Sequence, residues 1–405
     1  MKKNYLKMLG MFCLSLYAVN INAQTTYYVK TDGTGAAATA TTWANASKDL
    51  QDVINAAQAG DKIFVAMGTY LPNRPANNLT TVDAANRDNA FVLKNGISVY
   101  GGFAGTEADE LQRTPGNKTI LSGDLSGNDA EETGANTTNY MTQNKGDNAY
   151  HVVLAIGINA NTIFDGFTVT KGNASVNTTG STIMVNTKEI DRRFGGGIYI
   201  LESNADFKIY NVIATINRAN GDGYGIATGA GFYINNSSPK IDNCEISKSY
   251  NTNGTPKTSG NNYGSGMSLV LLSSPEITNT TFTDNFSLYG GAVSVNSGNA
   301  KFTNCVFKLN RGNGRGGAID IRGASPLFTN CLFSENSAGN DGGGGAAYNY
   351  SGKPTFLNCR LPPALNGRLS STENDRAILC YRRSRPCHLF RLLLLRFPLF
   401  YSAHK

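Results

Sequence analysis

This chain of 405 residues has only three histidines, and its seven cysteines form no paired framework. Scarce imidazole argues against a site built on histidine as general base or metal ligand. No segment offers the ~20 apolar residues that crossing a bilayer requires. The run from Met8 to Val19 is too short, and the Leu-rich run from Leu389 to Phe400 is broken by arginine. The one helical pattern lacks the glycine spacing that cradles phosphate, so no cofactor is expected. Nor is there a basic body for nucleic acid. Residues 360–405 hold nine of the 36 Lys and Arg and residues 1–23 hold three, which leaves 24 against 27 acidic residues between them. The formal charge of +7 therefore sits at the two ends, and a nucleic-acid partner is excluded.

What the chain has is a repeat. Glycine openings recur at Gly195, Gly229, Gly264, Gly290, Gly316 and Gly344, in steps of 34, 35, 26, 26 and 28 residues. Phe232 to Cys244, Val293 to Cys305, Ile319 to Cys331 and Ala347 to Cys359 each span twelve residues, so length varies only in the connections. Val293 and Val295 alternate with Ser294 and Asn296, as Ile319 and Ile321 do with Asp320 and Arg322, which is the period of a half-buried strand. Phe302 and Phe328 share a face with Cys305 and Cys331 only if the chain bends at Asn304 and Asn330. Two or three short strands per repeat cannot bury a face alone; stacked coils can. The expected fold is all-β, a single-stranded right-handed parallel β-helix with a short N-terminal capping α-helix. About a dozen coils between Lys62 and Asn358 would give a rod on the order of 55 Å.

The pairing of Gly290-Gly291-Ala292-Val293 and Gly316-Gly317-Ala318-Ile319 with Phe282-Thr283-Asp284-Asn285, Phe307-Lys308-Leu309-Asn310 and Phe333-Ser334-Glu335-Asn336 resembles the repeat of the chlamydial polymorphic outer membrane proteins. It is strict around residues 290–336 and degenerate back to Gly195. The resemblance implies a surface passenger used in adhesion or display, and it names no catalytic residue. The stretch from Trp43 through Gly60-Asp61-Lys62-Ile63-Phe64-Val65 is similar to the first coils of secreted β-helix proteins, pectate-lyase-like enzymes among them. The general style is also similar to Bacteroidetes surface proteins.

Residues 1–23 carry Lys2, Lys3 and Lys7, an apolar run and Asn22-Ala23, the three parts of a secretory signal peptide. Residues 24–62 read as a strand and capping helix, with Ser47 as N-cap, Leu50, Val53, Ile54 and Ala57 on one face and Gly60 as the stop. Residues 63–359 read as the β-helix. Residues 360–405 break the pattern and are expected to be a disordered, aberrant tail, out of frame with a longer parent; the alternative is a basic membrane-seeking terminus.

Cys244, Cys305, Cys331 and Cys359 occupy one repeat position, filled elsewhere by Val212 and Thr280. Their side-chain vectors would run parallel, which disfavours a disulfide dihedral, so free buried thiols are expected and metal binding is not. Tyr199 and Tyr233 share one outward slot, followed by Ser268, Ser294 and Asp320, and are the candidate binding residues for a sugar ring or partner; a purely structural aromatic ladder is the alternative. Asp124, Asp129, Glu131, Asp165, Arg192 and Arg193 are the charged groups from which a polysaccharide enzyme could draw, without a spacing that demands catalysis. His151, at a strand edge, is given no role. The expectation is a secreted or outer-membrane surface protein, without catalysis, that recognises a glycan or protein at the cell exterior. The alternatives are a lyase or hydrolase of the pectate-lyase-like type, or a truncated product without function.

Overall fold

The computed structural model describes residues 24–114, 116–130, 145–176, 181–220, 226–252, 262–339, 344–360 and 380–381. Residues 1–23, read above as an export signal, and nearly all of residues 361–405 lie outside the described residues. Four parallel sheets wrap one core. Sheet I has ten strands from Thr26–Val29 to Thr355–Leu357, and sheet II eight from Gly68–Tyr70 to Leu332–Ser334. Sheet III has six strands from Asn173–Ser175 to Ser337–Ala338. Sheet IV runs from Phe91–Val92 to Ala347–Ser351, where Cys380–Tyr381 adds one more short strand. A coil passes through IV, I, II and III in turn, as in Val293–Asn296, Lys301–Thr303, Val306–Lys308 and Arg311–Arg315. The next coil then opens at Ile319, paired in register with Val293. This is a parallel β-helix, with crossovers of the right-handed sense general for parallel strands.

The repeat motif is a prescription for corners. Between sheets I and II the left-handed residue is Asn211, Asn243, Asn279, Asn304, Asn330 or Asn358, with φ from +48° to +55°. Between II and III it is Asp284, Leu309 or Glu335, the residue just before the last Asn of each Phe-x-x-Asn. Between III and IV it is the first glycine of each pair, such as Gly290 at φ +63°. A Cβ on Gly290 would lie 2.3 Å from the Val293 carbonyl, and one on Gly291 would lie 2.5 Å from the carbonyls of Arg311 and Gly317. The bends expected at Asn304 and Asn330 are present, and they carry Phe302 and Cys305 into the same interior.

Like residues pile up along the axis. Phe282, Phe307 and Phe333 stack with centroids 4.9 and 4.7 Å apart, and Phe302, Phe328 and Phe356 at 4.8 and 4.7 Å. The last Asn of each motif points inward as well. Asn310 Nδ2 donates to Phe282 O and Asn336 Oδ1, both at 2.9 Å, while its Oδ1 accepts from Asn285 N at 3.1 Å and Asn285 Nδ2 at 2.9 Å. The Cys position takes a small side chain: Cys305, Cys331 and Cys359 reach the carbonyl two residues back at 3.4 to 3.5 Å, as Thr280 Oγ1 does at 2.8 Å, while Val212 fills the same place without a donor. All four repeat cysteines are buried and unbridged.

Four expectations need correction. Each full coil carries four short strands rather than two or three. From Lys62–Ala66 to Thr355–Leu357, sheet I holds nine strands rather than a dozen, so that span is about 40 Å at ~4.8 Å per step. Non-repeating segments such as 71–90, 104–114 and 181–194 take up much of the rest of the described chain. The helix is Leu50–Ala56 and its N-cap is Asp49, whose Oδ1 accepts from Asp52 N at 2.9 Å. Ser47 instead accepts from Asp49 N at 3.2 Å, outside the helix. Leu50, Val53, Ile54 and Ala57 do enter the core, and Gln51 closes the first edge of sheet IV, its Oε1 accepting from Val92 N at 2.8 Å. The fourth correction concerns Tyr199 and Tyr233.

Candidate functional site: the outer face of sheet IV

Registers place Leu154, Tyr199, Tyr233, Ser268, Ser294, Asp320 and Tyr348 in one outward column. That column is as expected; its exposure is not. Tyr199 is 2 % and Tyr233 6 % exposed. An antiparallel hairpin, Thr182–Val185 with Lys188–Asp191, lies against this face and packs Ile183, Val185 and Ile190 on the two tyrosines. An inserted segment cannot be positioned from a local period, so the covering was invisible in the repeat. The rings of Tyr199 and Tyr233 pack at a tilt of 50° with centroids 4.8 Å apart, and burial raises both phenols far above their ordinary value. They form a satellite core rather than an open ledge.

The hairpin instead builds one wall of a groove of about 500 Å³. The opposite ledge is the corner between sheets IV and I, formed by Glu202, Asn235, Asn236, Leu271, Leu272 and Ser297. Lys188 Nζ meets Glu202 Oε2 at 2.6 Å across the opening, and Thr182 Oγ1 donates to Glu189 Oε1 at 2.7 Å. Two consecutive leucines at the rim have φ of +48° and +62° and are 63 % and 73 % exposed. Side chains with a Cβ pay for left-handed backbone, about 1–2 kcal/mol each, and here they do so to present apolar surface to water.

Toward the C-terminal coils the same face becomes aromatic and cationic. The Arg322 guanidinium lies 4.1 Å from the Tyr263 ring and 5.2 Å from Tyr289; that of Arg315 lies 4.5 Å from Tyr289 and 4.8 Å from Tyr348. Arg322 Nε donates to Asp320 Oδ2 at 2.6 Å. Burial raises the Asp320 carboxyl above its ordinary range, with Arg322 opposing. Nothing in the strand alternation marks this assembly, because Tyr263 and Tyr289 reach it from the preceding corner.

The remaining sequence candidates are dispersed. Asp165 is held by Arg113 at 2.8 Å and Asn211 at 2.7 Å. Arg192 grips Asp88 with two contacts of 2.6 and 2.7 Å and so ties the hairpin to a distant segment, while Arg193 pairs at 2.5 Å with Asp191, two residues back in the same hairpin. His151 is buried, with Nδ1 3.0 Å from Gly195 O, and burial lowers its pKa to about 4. Asp124 and Asp129 lie near each other on another side of the coil, and Glu131 falls outside the described residues.

The registers make this chain a parallel β-helix protein. No sequence-family model matches it, and no curated protein is similar in sequence. Among solved structures, a pectate lyase, Pel9A, is similar with a TM-score of 0.38 and 14 % identity over 85 % of this chain and 80 % of that one. An alginate lyase from Paenibacillus sp. str. FPU-7 has a TM-score of 0.30 and 12 % identity over 77 % and 96 %. The catalytic unit of a thermostable GH87 α-1,3-glucanase from Streptomyces thermodiastaticus strain HF3-3 has 0.19 and 10 % over 84 % and 69 %. Likenesses this distant transfer no residue and no activity.

Proposed function

We propose that this chain is a polysaccharide-binding β-helix of the cell exterior, and that the groove beside the 182–191 hairpin is its binding site. The observation that carries the reading is the composition of that groove: Lys188, Glu189, Glu202, Asn235 and Asn236 offer donors and acceptors, and Leu271 and Leu272 an apolar ledge. Sugars present the same mixture of hydroxyls and apolar ring faces. The ledge crosses the coils that open at Ile198, Phe232, Met267 and Val293, about 14 Å in three steps of ~4.8 Å, room for a short oligosaccharide. Placement outside the cell rests on the export signal read in residues 1–23.

A second reading, lyase or hydrolase action on that polysaccharide, is favoured by one feature. The groove contains two carboxylates and a lysine, the groups that proton transfer at a sugar requires. Calorimetric titration with neutral and acidic oligosaccharides, combined with assays for reducing ends and unsaturated products, tests both. Lys188→Ala and Glu202→Gln are expected to weaken binding at least tenfold. Binding without product supports recognition alone, and product lost in both variants supports catalysis. Binding to none of the sugars, or affinity unchanged in both variants, overturns the groove as the site.

A further inference from the structure

Away from the groove, where the chain leaves sheet II after Thr119–Ser122 and returns before Val153–Ile156, an acidic and amide-rich cluster contains buried oxygens without a hydrogen-bond partner. Asp124 is fully engaged: its carboxylate accepts from Asn128 N at 3.1 Å, Asp129 N at 3.2 Å and Lys171 Nζ at 2.9 Å. Its neighbours are not. Asp129 Oδ2 accepts from Asn148 Nδ2 at 2.8 Å, but Asp129 Oδ1, both oxygens of Asp147, Asn148 Oδ1 and Asn173 Oδ1 are buried without a hydrogen-bond partner. Asn148 is 1 % and Asn173 3 % exposed. The amide orientation of Asn148 is set by its two donations, to Asp129 and to Lys171 O, so its free atom is the oxygen. Asn173 is placed alongside by its donations to Lys145 O at 2.9 Å and from its own N to Ala149 O at 2.8 Å.

All five orphaned atoms are acceptors. The hydrogen bonds of Lys171 go to Asp124 and those of Arg87 to the carbonyls of Asn148 and Asn173 and the Ser175 hydroxyl, at 2.7 to 3.0 Å, so that each acts on Asp129 or Asp147 through space only. Water could satisfy the amides, yet it would bring no charge into contact with the carboxylates of Asp129 and Asp147. Among the described residues no three His, Cys, Asp or Glu side chains converge, so amide oxygens have to complete any ligand set. An all-oxygen set of carboxylates and amides, with water in the remaining positions, suits Ca²⁺ better than the smaller, stricter Mg²⁺ or a nitrogen- or sulfur-seeking metal.

We infer that Asp129, Asp147, Asn148 and Asn173 form a Ca²⁺ site that pins the insertion after sheet II to the coil beginning at Val153. The site lies apart from the groove and does not depend on its function. The test is thermal unfolding of the full chain in chelator, in Ca²⁺ and in Mg²⁺, with Tb³⁺ luminescence excited through tyrosine as the direct readout. Ca²⁺ is expected to raise Tm in a saturable way and to displace Tb³⁺. Asp147→Asn should weaken Ca²⁺ at least tenfold, yet be no less stable than wild type in chelator, because the carboxylate it replaces accepts no hydrogen bond. Asp129→Asn provides the same comparison should Asp147→Asn fail to fold. No Ca²⁺-dependent shift in wild type, an equal shift in the folded variants, or equal stabilisation by Mg²⁺ at the same concentration would each overturn the inference.

Discussion

Asn310 and Asn304 are six residues apart in one coil, and the fold gives them opposite burdens. Asn310 is fully buried, and its amide makes four hydrogen bonds, two of them to backbone groups, Asn285 N and Phe282 O. Asn310→Ala leaves both of those backbone groups without partners in a dry interior, at about 1–3 kcal/mol each, and opens a small cavity besides. The expected loss is about 4 kcal/mol. Asn304 is exposed at φ +55°, sharing bonds of 3.2 and 3.3 Å with Asn279 and Asn330. Its bonds compete with water, so Asn304→Ala should cost about 1–1.5 kcal/mol, mostly the left-handed backbone. Asn304→Gly should recover most of that loss, whereas Asn310→Gly should recover none. Urea unfolding followed by circular dichroism measures all four midpoints. Equal losses at the two positions, or rescue of Asn310 by glycine, would show that the interior ladder carries no more than the corner does.

Acid sensitivity should report on His151. Its folded pKa is lowered to about 4 from an unfolded 6.5, so the unfolded chain binds the extra proton. Stability contributed by the neutral ring is complete above about 6.5 and is lost as pH falls toward 4, up to about 3 kcal/mol. His151→Gln should flatten that part of the stability curve, and an unchanged pH dependence would count against the buried neutral ring. The repeat thiols should resist alkylation while folded, since burial pushes Cys244 up to about 12 and the hydrogen bond that the Cys331 thiol donates to Cys305, together with burial, does the same for Cys331. In denaturant without reductant all four should react. A thiol silent there would reveal a disulfide.

Sequence alone determined the solenoid, because each corner needs a particular backbone conformation and each face a particular size. Gly290, Asn304 and Asn310 announce, respectively, a steric exclusion, a left-handed turn and an inward amide, all within one coil. Alternation likewise placed Tyr199, Tyr233 and Asp320 in one column. What it could not decide was whether that column meets water. The 182–191 hairpin comes from outside the period and buries the tyrosines, while Tyr263, Tyr289, Arg315 and Arg322 gather over the column's other end from different coils. The groove and the orphaned oxygens around Asp147 arise in the same way, from insertions laid against the stack. A repeat encodes contacts one coil apart; the sites form where non-repeating segments touch it, and only tertiary structure brings those together.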